Sequence, residues 1–182
     1  MIDRMPRFVL LVLLPFLSTA VAAADRLRVD GIEIGVSVRT PEQIVAFYTG
    51  RGMPAAAAQR LAAHCMVTVG IENGRDDIVW LEPARWRYSD AQGKPVARLN
   101  RAYWNKELRR LKVPAANRAT FGWTQLPERR DLQPSEPVGG NVLLDAAGPV
   151  HIEAIFPLGT ARKKELKLPL PPLECPARET RS

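Results

Sequence analysis

Residues 65–72 read CMVTVGIE, and their alternation indicates a β-strand. The apolar side chains recur with a period of two, at Cys65, Val67, Val69 and Ile71. Side chains of a strand point alternately to its two faces, so this pattern places the apolar set on one face. Residues 32–39, IEIGVSVR, alternate in the same way. We therefore predict two half-buried strands, the second followed by the turn signal Asn73-Gly74.

Helical signals separate these two strands. Thr40 can cap a helix, Pro41 suits its first position, and Gln43 can complete a capping box. The helix is expected to end near Gly50. Pro54 then opens an alanine-rich stretch, AAAAQRLAAH, whose composition favours a second helix. We therefore predict a short helical pair after the first strand.

Further short strands follow, with turn signals between them. They are predicted at Ile78–Leu81, Arg85–Tyr88, Phe121–Thr124, Asn141–Leu144, Val150–Phe156 and Leu166–Leu170. A tight turn is predicted at Asp90–Gly93, and Pro169 places the last strand at a sheet edge. Ile78–Leu81 and Arg85–Tyr88 are strand pieces around Pro83, so the segments make about seven short strands in all, a number typical of a β-sandwich. The fold class that we predict is therefore mainly β.

A basic helix interrupts the strand pattern. Residues 99–112, LNRAYWNKELRRLK, place Trp104, Leu108 and Leu111 at helical spacing, so one side of the helix is apolar. Pro114 ends the helix. We therefore predict a helical insertion in the sandwich at about residues 99–120. Most of its remaining side chains are basic, and this makes it the most unusual feature of the sequence.

Three of these features together resemble the immunoglobulin-like sandwich domains of exported bacterial proteins. They are the tryptophan-containing strand Ile78–Leu81, the Asp90-x-x-Gly93 turn and the segment SEPVGGNVLL, which leads into a strand. The resemblance covers roughly residues 30–170, and the helical segments depart from a plain sandwich. It implies an immunoglobulin-like fold with a binding or scaffold role, and it transfers no catalytic residues.

The first 24 residues have the order of a secretory signal peptide. Two arginines precede the apolar run Phe8–Leu17, and a stretch of small residues follows it. A membrane anchor is the alternative, but a spanning helix needs about 20 apolar residues, and this run is shorter and contains Pro15. We expect cleavage after Ala22 or Ala24, a single domain over residues 25–182 without a transmembrane segment, and a periplasmic or secreted location.

Composition and charge limit the partners. The 182 residues are 46% hydrophobic and 25% charged, which is ordinary for a globular protein and excludes collagen and bulk disorder. The formal net charge is +7. An exported protein rarely meets nucleic acid, so this excess indicates an anionic envelope surface or an envelope protein as the partner.

The two cysteines, Cys65 and Cys175, are expected to form one disulfide in an oxidising compartment. It would close a loop of about 110 residues and, by chain-entropy reasoning, stabilise the fold by about 4–5 kcal/mol. The alternative is a pair of unrelated thiols.

No motif of catalytic chemistry is recognised in the sequence. It holds no Gly-x-Ser-x-Gly nucleophile elbow and no phosphate-binding glycine loop. Asp76 and Asp77 are adjacent, so on a strand their carboxylates would point to opposite faces and could not act as a pair. We therefore expect a protein that is not an enzyme and that has no cofactor.

A copper site is the alternative function. His64 and Met66 offer an imidazole and a thioether, which can hold copper outside the cytosol, and Met53 could be a third donor. In the structural interpretation, His64 lies at the carbonyl end of a helix and Met66 packs in the core. We favour the structural interpretation because two weak ligands do not make a site.

The basic helix is the predicted binding surface. We predict that its partner-binding residues are Arg101, Tyr103, Trp104, Lys106, Arg109 and Arg110. The alternative is a solvated helix that only packs its apolar stripe on the sandwich. The sequence thus predicts a non-catalytic exported binding or scaffold module, with a periplasmic copper-binding protein as the second hypothesis.

Overall fold

The computed structural model describes residues 26–177, which form two antiparallel β-sheets and four α-helices. The predicted signal peptide, residues 1–24, lies outside the described residues. The elements in chain order are β1 (Arg26–Val29), β2 (Ile32–Arg39), α1 (Pro41–Thr49), α2 (Ala55–Ala62), β3 (Cys65–Asn73), β4 (Val79–Leu81), β5 (Arg87–Asp90), α3 (Arg101–Arg110), α4 (Ala115–Trp123), β6 (Arg130–Leu132), β7 (Pro137–Leu144), β8 (Gly148–Leu158), β9 (Lys164–Pro169) and β10 (Leu173–Cys175). The predicted mainly β class is confirmed.

The first sheet has the strand order β1-β2-β3-β7. The two strands first recognised in the sequence, β2 and β3, pair antiparallel from Ile32 opposite Asn73 to Arg39 opposite Met66. The other edge of β3 pairs with β7. Strand β1 was not predicted; it joins β2 through Asp30 and Gly31, whose φ angles of 47° and 79° suit a two-residue hairpin turn.

The second sheet is built around β8. Strands β9 and β10 pair with one edge of β8, β4 and β5 pair with the other, and β6 pairs with β4. The two sheets enclose the larger hydrophobic core, to which β3 contributes Val67, Val69 and Ile71. The Cys65–Cys175 disulfide joins β3 to β10 and so links the two sheets, which confirms the predicted bridge.

The four helices cover one end of the first sheet on the face that points away from this core. We call α1 to α4 the helical layer. Met66 and Leu143 project from the sheet into a second hydrophobic cluster formed with this layer. The cluster is completed chiefly by Ile44, Tyr48, Leu61, Trp104, Leu108 and Phe121. The helical pair α1–α2 was predicted, and Thr40 and Gln43 form the expected capping box.

The predicted helical insertion is present in the middle of the chain, but one strand predicted beside it was wrong. The insertion at about residues 99–120 is two helices, α3 and α4, separated by a turn in which Lys112 has a φ of 56°. Phe121–Thr124 is the last turn and cap of α4 and not a strand. Its apolar alternation spans only four residues, too few to separate a period of 2 from one of 3.6, and Phe121 packs fully buried in the helical cluster.

Candidate functional site

The excess positive charge of the described chain lies in the helical layer and its loops. Residues 41–64 and 99–124 hold eight basic and two acidic side chains. The rest of residues 26–177 holds fourteen of each kind. The strand-rich part of the chain is therefore balanced, and the helical layer alone creates the positive field that an anionic partner would meet.

The local sequence explains how α3 presents its basic side chains. Asn100 caps the helix by accepting a hydrogen bond from the backbone N–H of Tyr103 at 2.9 Å. Trp104 and Leu108 are fully buried and fix the orientation of the helix on its neighbours. Five of the six predicted partner-binding residues are exposed: Arg101, Tyr103, Lys106, Arg109 and Arg110. Trp104 instead lies in the core, where its ring packs against those of His64 and Phe121, so it offers no contact surface.

A notch of about 270 Å³ lies where α3 meets α4. It is lined by Arg101, Asn105, Arg118, Ala119, Gly122 and Trp123. Arg101 donates from Nη2 to the carbonyl oxygen of Gly122 at 2.6 Å, and Arg118 donates from Nη1 to that of Val113 at 2.6 Å. Carbonyl oxygens hold these guanidinium groups in place without neutralising them. Trp123, at 82% exposure, is the most exposed large apolar side chain of the described residues.

Most cations of α3 and α4 form no ion pair within residues 26–177, although the Glu128 carboxylate accepts a hydrogen bond from the backbone N–H of Arg101 at 2.9 Å. Glu107, the one acidic residue of α3, accepts hydrogen bonds from Arg110 at 2.8 Å and from Arg60 at 3.1 Å. The bond from Arg110 is the main cause that lowers the pKa of Glu107 to about 2. In residues 26–177, no carboxylate lies within 4.0 Å of the charged groups of Arg101, Lys106, Arg109 and Arg118. We call these four cations and Trp123 the basic face. The sequence prediction did not include Trp123 in this surface, because it placed that residue on a strand.

The proposed copper ligands are both buried. Met66 packs in the second hydrophobic cluster, and His64 lies at 8% exposure with its Nδ1 atom 3.5 Å from Asp145 Oδ1. The imidazole also meets the ring of Trp104 edge-on, with centroids 5.4 Å apart. Within residues 26–177, no group of three or more His, Cys, Asp or Glu side chains lies close enough together to hold a metal ion. Copper binding at His64 and Met66 stays a prediction.

Comparison with known proteins gives only distant structural likeness. No protein-family model matches the sequence, and no curated protein matches it. Among solved structures, YcdA, a candidate lipoprotein of Bacillus subtilis, aligns at 9% identity with a TM-score of 0.42, covering 81% of this chain and 38% of that one. A FixG-related protein of Vibrio parahaemolyticus aligns at 9% identity with a TM-score of 0.35, covering 81% and 98%.

Proposed function

We propose that the protein is a non-catalytic, exported binding module whose basic face holds an anionic partner of the envelope. The observation that carries this proposal is the separation of charge, because the whole positive excess of residues 26–177 lies in the helical layer. Surface cations steer anionic partners and stabilise the encounter. The exposed Trp123 beside Arg101 and Arg118 favours an anionic lipid surface, where aromatic rings lie at headgroup level.

Export and the immunoglobulin-like fold belong to the same proposal. The Cys65–Cys175 disulfide supports export, because such bonds persist in oxidising compartments. It also links two antiparallel sheets across their core, as the disulfide of antibody domains does, and this supports the immunoglobulin-like interpretation. Within residues 26–177, every helix is too short or too polar to cross a bilayer.

The test compares two variants with the same change of charge. The first carries Arg101→Glu, Arg109→Glu and Arg118→Glu on the basic face. The control carries Lys94→Glu, Lys163→Glu and Lys167→Glu, which replace exposed cations outside the helical layer. Both are measured by co-sedimentation with vesicles of phosphatidylglycerol and phosphatidylcholine, alongside the unchanged chain purified without residues 1–24.

The basic-face variant is expected to lose vesicle binding, whereas the control variant keeps most of it. Each basic residue near an anionic membrane contributes about 1 kcal/mol, so three of them correspond to about a 100-fold change in partitioning. Equal loss in both variants would show that only total charge matters and would overturn the assignment to the basic face. If vesicles do not bind and an acidic envelope protein is captured by the basic face alone, the partner is that protein and not lipid.

A further inference from the structure

A second cavity, separate from the basic face, lies where α1 meets the first sheet. It has a volume of about 480 Å³, within the range of small-molecule sites. Its polar lining is Arg39, Gln43, Tyr48, Thr68, Thr124 and Asn141. Its apolar wall is formed by Ile44, Phe47 and Met66. A few convergent polar groups beside an apolar wall are the usual composition of a ligand site.

Arg39 is the charged group of this cavity, and it is held in place at one edge. Its Nε atom donates to Thr68 Oγ1 at 2.8 Å, and Thr68 in turn donates to Asn141 Oδ1 at 2.8 Å. These residues come from three neighbouring strands, β2, β3 and β7. Since Nε is engaged, the two Nη groups remain as a fork that can bind two oxygens of one anion.

The cation of Arg39 has no acidic counterpart at this site. Of the described residues that line the cavity, none is aspartate or glutamate, and no carboxylate of residues 26–177 comes within 4.0 Å of the Arg39 guanidinium. Arg39 is also half-buried. A partly desolvated guanidinium that has no carboxylate partner among the described residues favours an external anion.

Tyr48 is a neutral polar residue of the cavity lining. It is almost fully buried, and its hydroxyl lies 2.8 Å from Thr124 Oγ1. Burial raises the pKa of Tyr48, so the phenol stays protonated at neutral pH and does not repel an anion. Arg51 stacks over the ring of Phe47 with its Cζ atom 3.6 Å from the centroid, but it is not among the residues that line the cavity, so Arg39 is the cation of the lining.

We infer that this cavity binds a small organic monocarboxylate. The Arg39 fork holds the carboxylate, and the apolar body of the ligand lies against Ile44, Phe47 and Met66. One fixed cation matches one negative charge, and the apolar wall excludes a fully hydrated inorganic ion as the preferred occupant.

The experiment uses benzoate as the probe, with benzyl alcohol, acetate and inorganic phosphate as comparisons. Binding is followed by nuclear magnetic resonance, through the backbone amides of Arg39, Thr68 and Asn141 and the side-chain Nε–H of Arg39. Benzoate is expected to shift these signals more strongly than the other three probes. Equal or stronger binding of phosphate would overturn the carboxylate assignment, and benzoate shifts confined to other arginines would overturn the site.

Two variants test the role of charge. Arg39→Gln removes the cation and is expected to weaken benzoate binding at least about tenfold, because a charge-assisted contact is lost. Asn141→Asp keeps the oxygen that accepts from Thr68 and supplies a carboxylate of its own, so it should weaken binding to a similar extent even if Arg39→Gln folds poorly. Lys94→Gln, a control outside the cavity, should leave binding unchanged. Undiminished binding in a folded Asn141→Asp variant would overturn the inference, whatever the outcome for the basic face.

Discussion

Gly140 in β7 lies directly against the backbone of Leu126. A β-carbon on Gly140 would collide with the Leu126 nitrogen and with the carbonyl carbon of Gln125. Hydrogen bonds fix this approach, because the Leu126 N–H donates to the Asn141 carbonyl oxygen at 3.0 Å and the Asn141 N–H donates to that of Thr124 at 2.8 Å. The segment that follows α4 is thereby held beside the first sheet, close to the cavity of Arg39.

This contact predicts opposite outcomes for two glycines in paired strands. Gly140→Ala is expected to lower the free energy of unfolding by about 2–4 kcal/mol. The new methyl group would press on the backbone of Gln125 and Leu126, and this segment cannot move away from β7 without losing its hydrogen bonds. Gly70→Ala on β3 meets no atom within 4 Å and should be neutral or stabilise by up to about 1 kcal/mol. Urea unfolding of both variants checks this, and equal effects would contradict the close approach.

Gly140 also explains why the first half of β7 was not predicted from the sequence. Gly139 and Gly140 have the composition of a loop, so the sequence placed the strand start at Asn141 and not at Pro137, where β7 begins. The pairing of β7 with β3 overrides that local signal, since Gly70 lies opposite Gly139 and Val69 opposite Gly140. Strands whose alternation is complete, such as β2 and β3, needed no such tertiary information.

Candidate sites were predicted less well than strands, because they join distant parts of the chain. The basic helix was visible in the sequence, but the packing of α4 brings Trp123 and Arg118 beside Arg101. The cavity of Arg39 brings β2 and β7 together across about 100 residues of sequence, through the shared neighbour Thr68. Local patterns predict the elements well, whereas side chains that converge across elements depend on packing.

Two tryptophans in the helical layer should respond very differently to truncation. Trp104 has no exposed surface, and Trp104→Ala is expected to cost about 3–5 kcal/mol of unfolding free energy. Trp123, at 82% exposure, should change stability by less than about 0.5 kcal/mol when replaced by alanine. Thermal unfolding measures both changes in stability. Vesicle binding then tests the proposed role of Trp123, since Trp123→Ala should weaken membrane binding in a folded protein. A stable Trp123→Ala variant with unchanged binding would remove Trp123 from the basic face.

Glu107 should make stability depend on pH in the acid range. Its pKa is lowered in the folded protein from 4.5 to about 2, chiefly by the hydrogen bond from Arg110. Because the pKa of Glu107 is lower in the folded than in the unfolded chain, the ionised carboxylate adds to the free energy of unfolding. This stabilisation is complete above the pKa of the unfolded chain and is lost as the pH falls from about 4.5 towards 2. One arginine partner, Arg110, is exposed and the other, Arg60, is half-exposed, so solvent screens both ion pairs. We therefore expect this stabilisation to be about 1 kcal/mol.

Glu107→Gln is the variant that isolates this effect. The stability difference between the unchanged chain and Glu107→Gln should be constant above about pH 5 and should shrink as the pH approaches 2. Glu174→Gln, at an exposed carboxylate of β10, is the matched control. A difference that stays the same at every pH would contradict the assigned ion pairs.

The disulfide between the sheets gives the largest predicted change in stability. Cys65 and Cys175 are separated by 110 residues, and linking them removes conformations from the unfolded chain. By loop-entropy reasoning, Cys65→Ala with Cys175→Ala should lower the free energy of unfolding by about 4–5 kcal/mol. The double variant should also lose the response of the unchanged chain to a reducing agent, because no bond remains to be broken. Urea unfolding with and without reductant checks both statements.

The disulfide also predicts the state of the cysteines in protein isolated from its native source. Neither Cys65 nor Cys175 should react with a maleimide reagent until the protein is reduced. Free thiols in that native material would contradict the oxidising compartment on which the proposed export depends.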